Sequence, residues 1–216
     1  MRGLMLGVVM LLGGCASGTI NYSPPASDYK AQNSIEIAKP REEVWKGAVP
    51  AIGREFFVIN NLDQSSGLMN LSYTGDPEKY IDCGIVSTTV TNVKGTFVYN
   101  FAGAAAQTYY ETFTNMTWAQ INRRVSLEGR VNIIFEALSP ERTRVTANTR
   151  YVVQREQNIR AQGMQGQGVG TVRHSISFGS NQSASFPMNT AAGSAVECRA
   201  NGKLETDLLR LISGGT

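Results

Sequence analysis

The clearest signal along the chain is a strict two-residue alternation. Val125, Leu127, Val131, Ile133 and Phe135 alternate with polar residues. Ser139-Pro140-Glu141-Arg142 then supplies a turn, and Val145, Ala147, Tyr151 and Val153 alternate again. Apolar residues two apart fall on one side of a pleated strand. The pattern therefore predicts a long antiparallel hairpin with one buried face. Residues 90–101 carry the same period, with Val93, Phe97, Tyr99 and Phe101 on one parity, and predict another strand. Shorter strands are expected at Ser34–Ile37, from Phe56 to Ile59, from Leu68 to Tyr73 and from Thr171 to Phe178.

Two segments switch to a helical period. Lys39-Pro40-Arg41-Glu42-Glu43 opens the first, because proline suits the first turn and acidic side chains suit the positive end of the helix dipole. Val44, Ala48, Ile52 and Phe56 recur every four residues, with Trp45 and Val49 beside them. Pro50 lies inside this helix and predicts a kink or an early end. After the turn Asn201-Gly202, Leu204, Leu208, Leu211 and Ile212 line one face of a last helix. Neither helix can hide its apolar face except against the sheet, so the order of elements predicts an α+β domain over residues 34–216. Its antiparallel sheet is expected to pack against both helices. Two polar stretches interrupt the pattern, near 103–122 and 156–195, and read as loops. Gln162 to Gly170 is the most polar and glycine-rich part of the second.

Composition narrows the function classes. The 216 residues include one histidine and three cysteines, which excludes metal sites built from several histidines or from four cysteines. A net charge of +3 is too small to suggest a nucleic-acid partner. The N-terminus, MRGLMLGVVMLLGGC, has a positive start, an apolar run from Leu4 to Leu12 and the sequence Leu12-Gly13-Gly14-Cys15. That run is shorter than the about 20 residues that span a bilayer. It fits a signal peptide over residues 1–14, ending in a bacterial lipobox with Cys15 as the lipidation site. Ala16 follows in place of an inner-membrane retention aspartate, so the expected address is the outer membrane, facing the periplasm. Residues 15–33 are small, polar and proline-containing and read as a lipid-anchored tether. With Cys15 acylated, Cys83 and Cys198 remain, and in an oxidising compartment an even pair predicts a disulfide.

The stretch SIEIAKPREEVWKGAVPAIGREFFVINNLDQSSGLMNLSY resembles the opening of BamC-like envelope lipoprotein domains. The matching features are the PREEVW helix start, the aromatic strand after it, and the DQSSGLMNL turn into the next strand. The resemblance implies a lipid-anchored domain of helix-grip type.

Candidate sites are few. His174 is the single candidate for a catalytic base, but it shares a parity with Val172, Ile176 and Phe178 in an alternating stretch and reads as structural. No nucleophile elbow or phosphate loop occurs. Asp82 and Glu197 flank the two cysteines, yet neighbours on a strand point to opposite faces, so both are expected to face solvent. Tyr109, Tyr110, Phe113 and Trp118 form an aromatic cluster that reads as core filling or as a partner-binding surface. Arg123 and Arg124 follow and stand ready to meet acidic groups or to begin a solvated strand. The leading expectation is a non-enzymatic envelope lipoprotein without cofactor or metal, which binds protein partners. The alternative is a carrier of a small apolar ligand or lipid, in a cavity lined by Val93, Phe97 and Tyr99 with Val44, Ile52 and Leu208.

Overall fold

Two long strands set the frame. The computed structural model describes residues 16–26, 32–55, 57–164, 166–188 and 195–214. In it β9 (Thr117–Ser139) and β10 (Arg142–Gly163) pair from Arg142↔Ser139 to Gln162↔Trp118. The predicted hairpin is thus present, and it continues far beyond the alternation that revealed it. Each edge of this spine is shared by two strands. On the β9 side, β4 (Leu68–Gly75) pairs with one end and β8 (Gln107–Thr114) with the other. On the β10 side, β2 (Ser34–Ile37) and β11 (Gly166–Gly179) divide the edge in the same way. The strand β3 (Val58–Asp63) completes this sheet beyond β4.

Two smaller sheets accompany it. One has the order β1-β6-β7, from β1 (Ser17–Ser23), β6 (Ile85–Asn92) and β7 (Gly95–Ala102). The other has the order β12-β13-β5, from β12 (Ser183–Pro187), β13 (Ala195–Ala200) and β5 (Ile81–Asp82). A 3-10 turn, Pro77–Lys79, precedes β5.

The helices α1 (Arg41–Gly53) and α2 (Lys203–Ser213) pack on each other and on the end of the spine near β2. Val44, Trp45, Ala48 and Ile52 of α1 are buried, with the Trp45 ring edge-on to Phe135 at 5.0 Å. In α2 the buried face uses Leu204, Leu208, Leu209 and Ile212, with Leu209 taking the place expected of Leu211. Pro50 does not end α1, which continues to Gly53. Phe56 lies outside the described residues. One buried position in α2 is polar. Glu205 is fully buried and accepts hydrogen bonds from Tyr151 Oη at 2.8 Å and Ser180 Oγ at 2.6 Å.

The expected α+β, helix-grip-like architecture is corrected. Strands make up about 65% and helices about 15% of the described structure, so the fold is mostly β. The helix pair covers only one end of the spine, and the β1-β6-β7 sheet lies over the other. The two stretches read as loops account for much of the difference. Residues 103–122 hold β8 and the start of β9, joined by a tight turn in which Asn115 and Met116 both have positive φ. Residues 156–195 hold the end of β10, β11 and β12, and Gln162 and Gly163 pair with Gln167 and Gly166 at a hairpin end. Most of their polar side chains alternate outward, Thr112 and Gln157 excepted, while backbone pairing to the spine supplies the structure. The strand expected over 90–101 is instead a hairpin. Val93 and Lys94 form its turn, and Val93 is 85% exposed.

Part of the expected tether is also structured. Residues 17–23 form β1, paired with β6 along its whole length. Gly18 allows β1 to approach β8 closely: a Cβ there would sit 2.8 Å from the Cβ of Phe113. Tyr22 accepts from the Glu197 amide at 2.9 Å and donates to the Glu197 carbonyl at 3.0 Å, tying β1 to β13. Cys15 and the leader before it lie outside the described residues. Cys83 and Cys198 form the predicted disulfide, joining the end of β5 to β13 in the buried core. Among the described residues no helix is long and apolar enough to cross a membrane.

Candidate functional site: a cavity with buried arginines

At the end of the spine away from the helices, the β1-β6-β7 sheet lies across β8, β9 and β10. The two layers do not close fully. Between them is a cavity of about 350 Å³, within the about 300–1,000 Å³ typical of small-molecule sites. Ile20, Val86, Phe101, Ile121, Ile159 and Val196 supply apolar walls from six different strands. This is not the cavity expected from the sequence. Val44, Ile52 and Leu208 lie in the closed core beneath the helices. Val93 and Phe97 are exposed, and Tyr99 packs outside against Tyr109 at 6.0 Å.

The inner end of the cavity is polar. Arg123 and Arg155 line it at 3% and 5% exposure, with Gln157 at 5%. On the β9–β10 ladder Gln157 is opposite Arg123 and Arg155 is opposite Val125, so all three share the inward face. Arg123 is held by backbone oxygens. Nη1 donates to Gly103 at 3.0 Å and Nη2 to Ala102 at 2.9 Å, with the guanidinium over the Phe101 ring at 4.8 Å. Arg155 is held less. Its Nη2 donates to the Pro187 carbonyl at 2.6 Å and lies 3.4 Å from His174 Nδ1, and the guanidinium covers the Phe186 ring at 4.7 Å.

Nε of both arginines and Oε1 of Gln157 have no partner among the described residues. Among the described residues no aspartate or glutamate lines the cavity and neither guanidinium forms an ion pair. Burial pulls the Arg155 guanidinium down to about 10, and the nearby Arg123 charge adds to the fall. Burial likewise lowers Arg123. Gln157 Nε2 donates to Tyr110 Oη at 3.0 Å. Burial raises the Tyr110 phenol, which keeps it protonated and able to donate.

The expected aromatic cluster is divided between two faces of β8 and β9. Tyr110 points into the cavity, and its ring lies 4.8 Å from that of Phe101. Tyr109, Phe113 and Trp118 lie on the other face. There the Glu111 carboxylate accepts from Tyr109 Oη at 2.7 Å and Trp118 Nε1 at 3.1 Å. Partial burial, and then Glu111 itself, push the Tyr109 phenol up to about 12. For Glu111, burial alone would raise the pKa, but the bonds from Tyr109, Trp118 and Gln120 together hold it below the usual range. The neighbours Arg123 and Arg124 separate in the same way, Arg123 inward and Arg124 outward.

Arg155 and Gln157 are the residues that sequence reasoning missed as a site, and Tyr110 was singled out there only as part of the aromatic cluster. A usable signal was there. Tyr151, Val153, Arg155, Gln157 and Ile159 share one parity, so a cation and an amide sit on the buried face of an otherwise apolar strand. His174 touches this arginine from β11 and is half-buried, with no carboxylate of the described residues bonded to it. Asp82 faces solvent as expected and Glu197 is half-buried, bonded to Arg199 at 2.7 Å. Among the described residues no three of His, Cys, Asp and Glu come together as a metal site. The chain matches no known protein family, no curated protein and no solved structure.

Proposed function

We propose that this chain is a non-enzymatic lipoprotein of the outer membrane, facing the periplasm, whose described domain takes a small and largely apolar ligand into the cavity between its sheets. The cavity itself carries this reading. A well-packed interior leaves few voids larger than a water molecule, whereas this one has the size of a ligand site, with walls drawn from separate strands. The lipobox at Cys15, the disulfide between Cys83 and Cys198, and the resemblance of residues 34–73 to envelope lipoproteins support the address.

Two measurements test it. Dodecanol, a neutral apolar probe, is expected to raise the unfolding temperature of the full chain. At a ligand excess of about 100-fold over Kd the folded state gains about 2.7 kcal/mol. Ala119→Phe places a ring in the cavity and is expected to abolish that shift while leaving the fold intact. An unchanged unfolding temperature with wild type, or an equal shift with the variant, would exclude the cavity as a ligand site. For the address, Cys15→Ser is expected to move the protein from the membrane fraction to the soluble fraction. Retention in membranes would place the anchor elsewhere.

A protein partner is a second reading, favoured by exposed apolar side chains at the two turns next to the cavity. Met116 is 63% exposed, and Met164 and Val169 are each 84% exposed. Crosslinking in intact envelopes is expected to return peptides from these turns joined to another envelope protein. Crosslinks confined to other faces would remove the reading.

A further inference from the structure

We infer that the cavity takes an amphiphile with one anionic head group, a carboxylate or a phosphate monoester, bound at Arg155 beside Arg123, with its apolar tail lying along β9 toward the Asn115 turn. This rests on the reading of the cavity as a ligand site and adds the chemical class of the ligand.

The first argument is charge. Two guanidiniums lie on one inward face, each at least nine-tenths buried, with no carboxylate of the described residues on the cavity wall; Glu78 acts on Arg123 without forming an ion pair with it. Like charges taken out of water without a counter-charge are costly, and natural interiors pair them. Here the missing partner is an anion. The second argument is donor geometry. Arg155 spends Nη2 on Pro187 and His174, leaving Nε and Nη1 without partners among the described residues. Nε–H points to the Nη2 side of the guanidinium, so Nε and Nη1 offer two separately directed donors to carboxylate or phosphate oxygens. Arg123 has both Nη atoms engaged by carbonyls, so it contributes charge and a single Nε–H. Tyr110 accepts from Gln157 and keeps its own proton for an anion.

The third argument is polarity along the cavity. Arg123, Arg155, Gln157 and Tyr110 cluster at the inner end, and Ala119, Ile121 and Ile159 follow toward the turn, where Thr114, Asn115 and Thr117 mark the outer end. From Thr117 to Arg123 the strand advances roughly 20 Å. One charged end and one long apolar path describe a single-tailed amphiphile.

The test uses the full chain, freed of copurified lipid, and calorimetric titration with dodecanoate, dodecyl phosphate and dodecanol at one ionic strength. The tighter of the two anions is expected to bind at least about tenfold more strongly than dodecanol, the scale of one hydrogen bond to a charged group. Which anion is tighter tells the carboxylate from the phosphate. Arg155→Met is expected to lower anion affinity to that of the alcohol and leave alcohol binding unchanged. Should that variant fail to fold, Arg155→Lys serves instead. Its ammonium lacks the Nε–H donor and cannot reproduce the two directions of the guanidinium, and most of the preference is expected to be lost. Equal affinity for anion and alcohol in the wild type, or a preference that survives both substitutions, would overturn the assignment of the head group. If none of the three probes binds, the cavity reading itself fails, and this inference with it.

Discussion

Replacing both Cys83 and Cys198 with alanine is expected to lower the unfolding free energy by about 4–5 kcal/mol. The cysteines are separated by 115 residues, so the bond closes a long loop in the unfolded chain. In the chain-entropy picture a loop of about 100 residues is worth about 4.7 kcal/mol, a value that measured bridges often fall below. Against a total stability of about 5–15 kcal/mol, that is a large share. The loss has a definite location. Cys198 lies on β13 between Val196, which lines the cavity, and Arg199, paired with Asp82 of β5. The variant should therefore loosen the cavity wall before the helix end of the spine. Urea titration measures the total, and hydrogen exchange at β13 and β5 measures the location. A loss below about 1 kcal/mol would show that the unfolded chain already keeps the two cysteines close without the bond.

Glu205→Ala is expected to cost about 3–5 kcal/mol. Glu205 lies in the first turn of α2, where a negative charge faces the positive end of the helix dipole. Both of its oxygens are used, one by Tyr151 and one by Ser180. Tyr151 is fully buried, and burial followed by the Glu205 charge pushes its phenol far above the usual range, so it stays protonated and donates to Glu205. Truncation strands the Tyr151 hydroxyl proton in the core at about 1–3 kcal/mol, takes the shorter of two acceptors from half-buried Ser180, and leaves a void besides. Tyr151→Phe removes one donor instead and is expected to cost about 1–3 kcal/mol. Made together, the two changes should cost less than their sum, because the phenylalanine leaves one fewer orphaned donor. Strict additivity in urea midpoints would mean that the pair does not interact.

Some of this architecture was readable residue by residue. The alternation from Val125 to Val153 predicted the central hairpin because its inward positions are uniformly apolar. It failed from Trp118 to Arg124 and from Arg155 to Gln162 for the reason that makes those residues interesting. There the inward face carries Arg123, Arg155 and Gln157, which line a cavity rather than a packed core. A site of this kind breaks the binary pattern that would announce its strands. The hairpin at Val93-Lys94 was hidden differently. A two-residue turn reverses the parity of a face, from Val86, Thr88 and Val90 before it to Phe101 after it, and Val93 falls in phase with Phe97 and Tyr99 although it lies in the turn.

By itself, the sequence determined what depends on neighbours along the chain. This covers the two helical faces, the central hairpin, the turn at Asn201-Gly202 and, through cysteine count and compartment, the pairing of Cys83 with Cys198. Tertiary structure decided which strand takes each edge of β9 and β10. Strand edges pair through backbone groups, which are the same in every residue, so side-chain patterns scarcely encode the choice. Tertiary structure also decided the cavity. Its walls come from β1, β6, β7, β8, β9, β10 and β13, and no local window of sequence contains enough of them to show that Arg123 and Arg155 share one buried space.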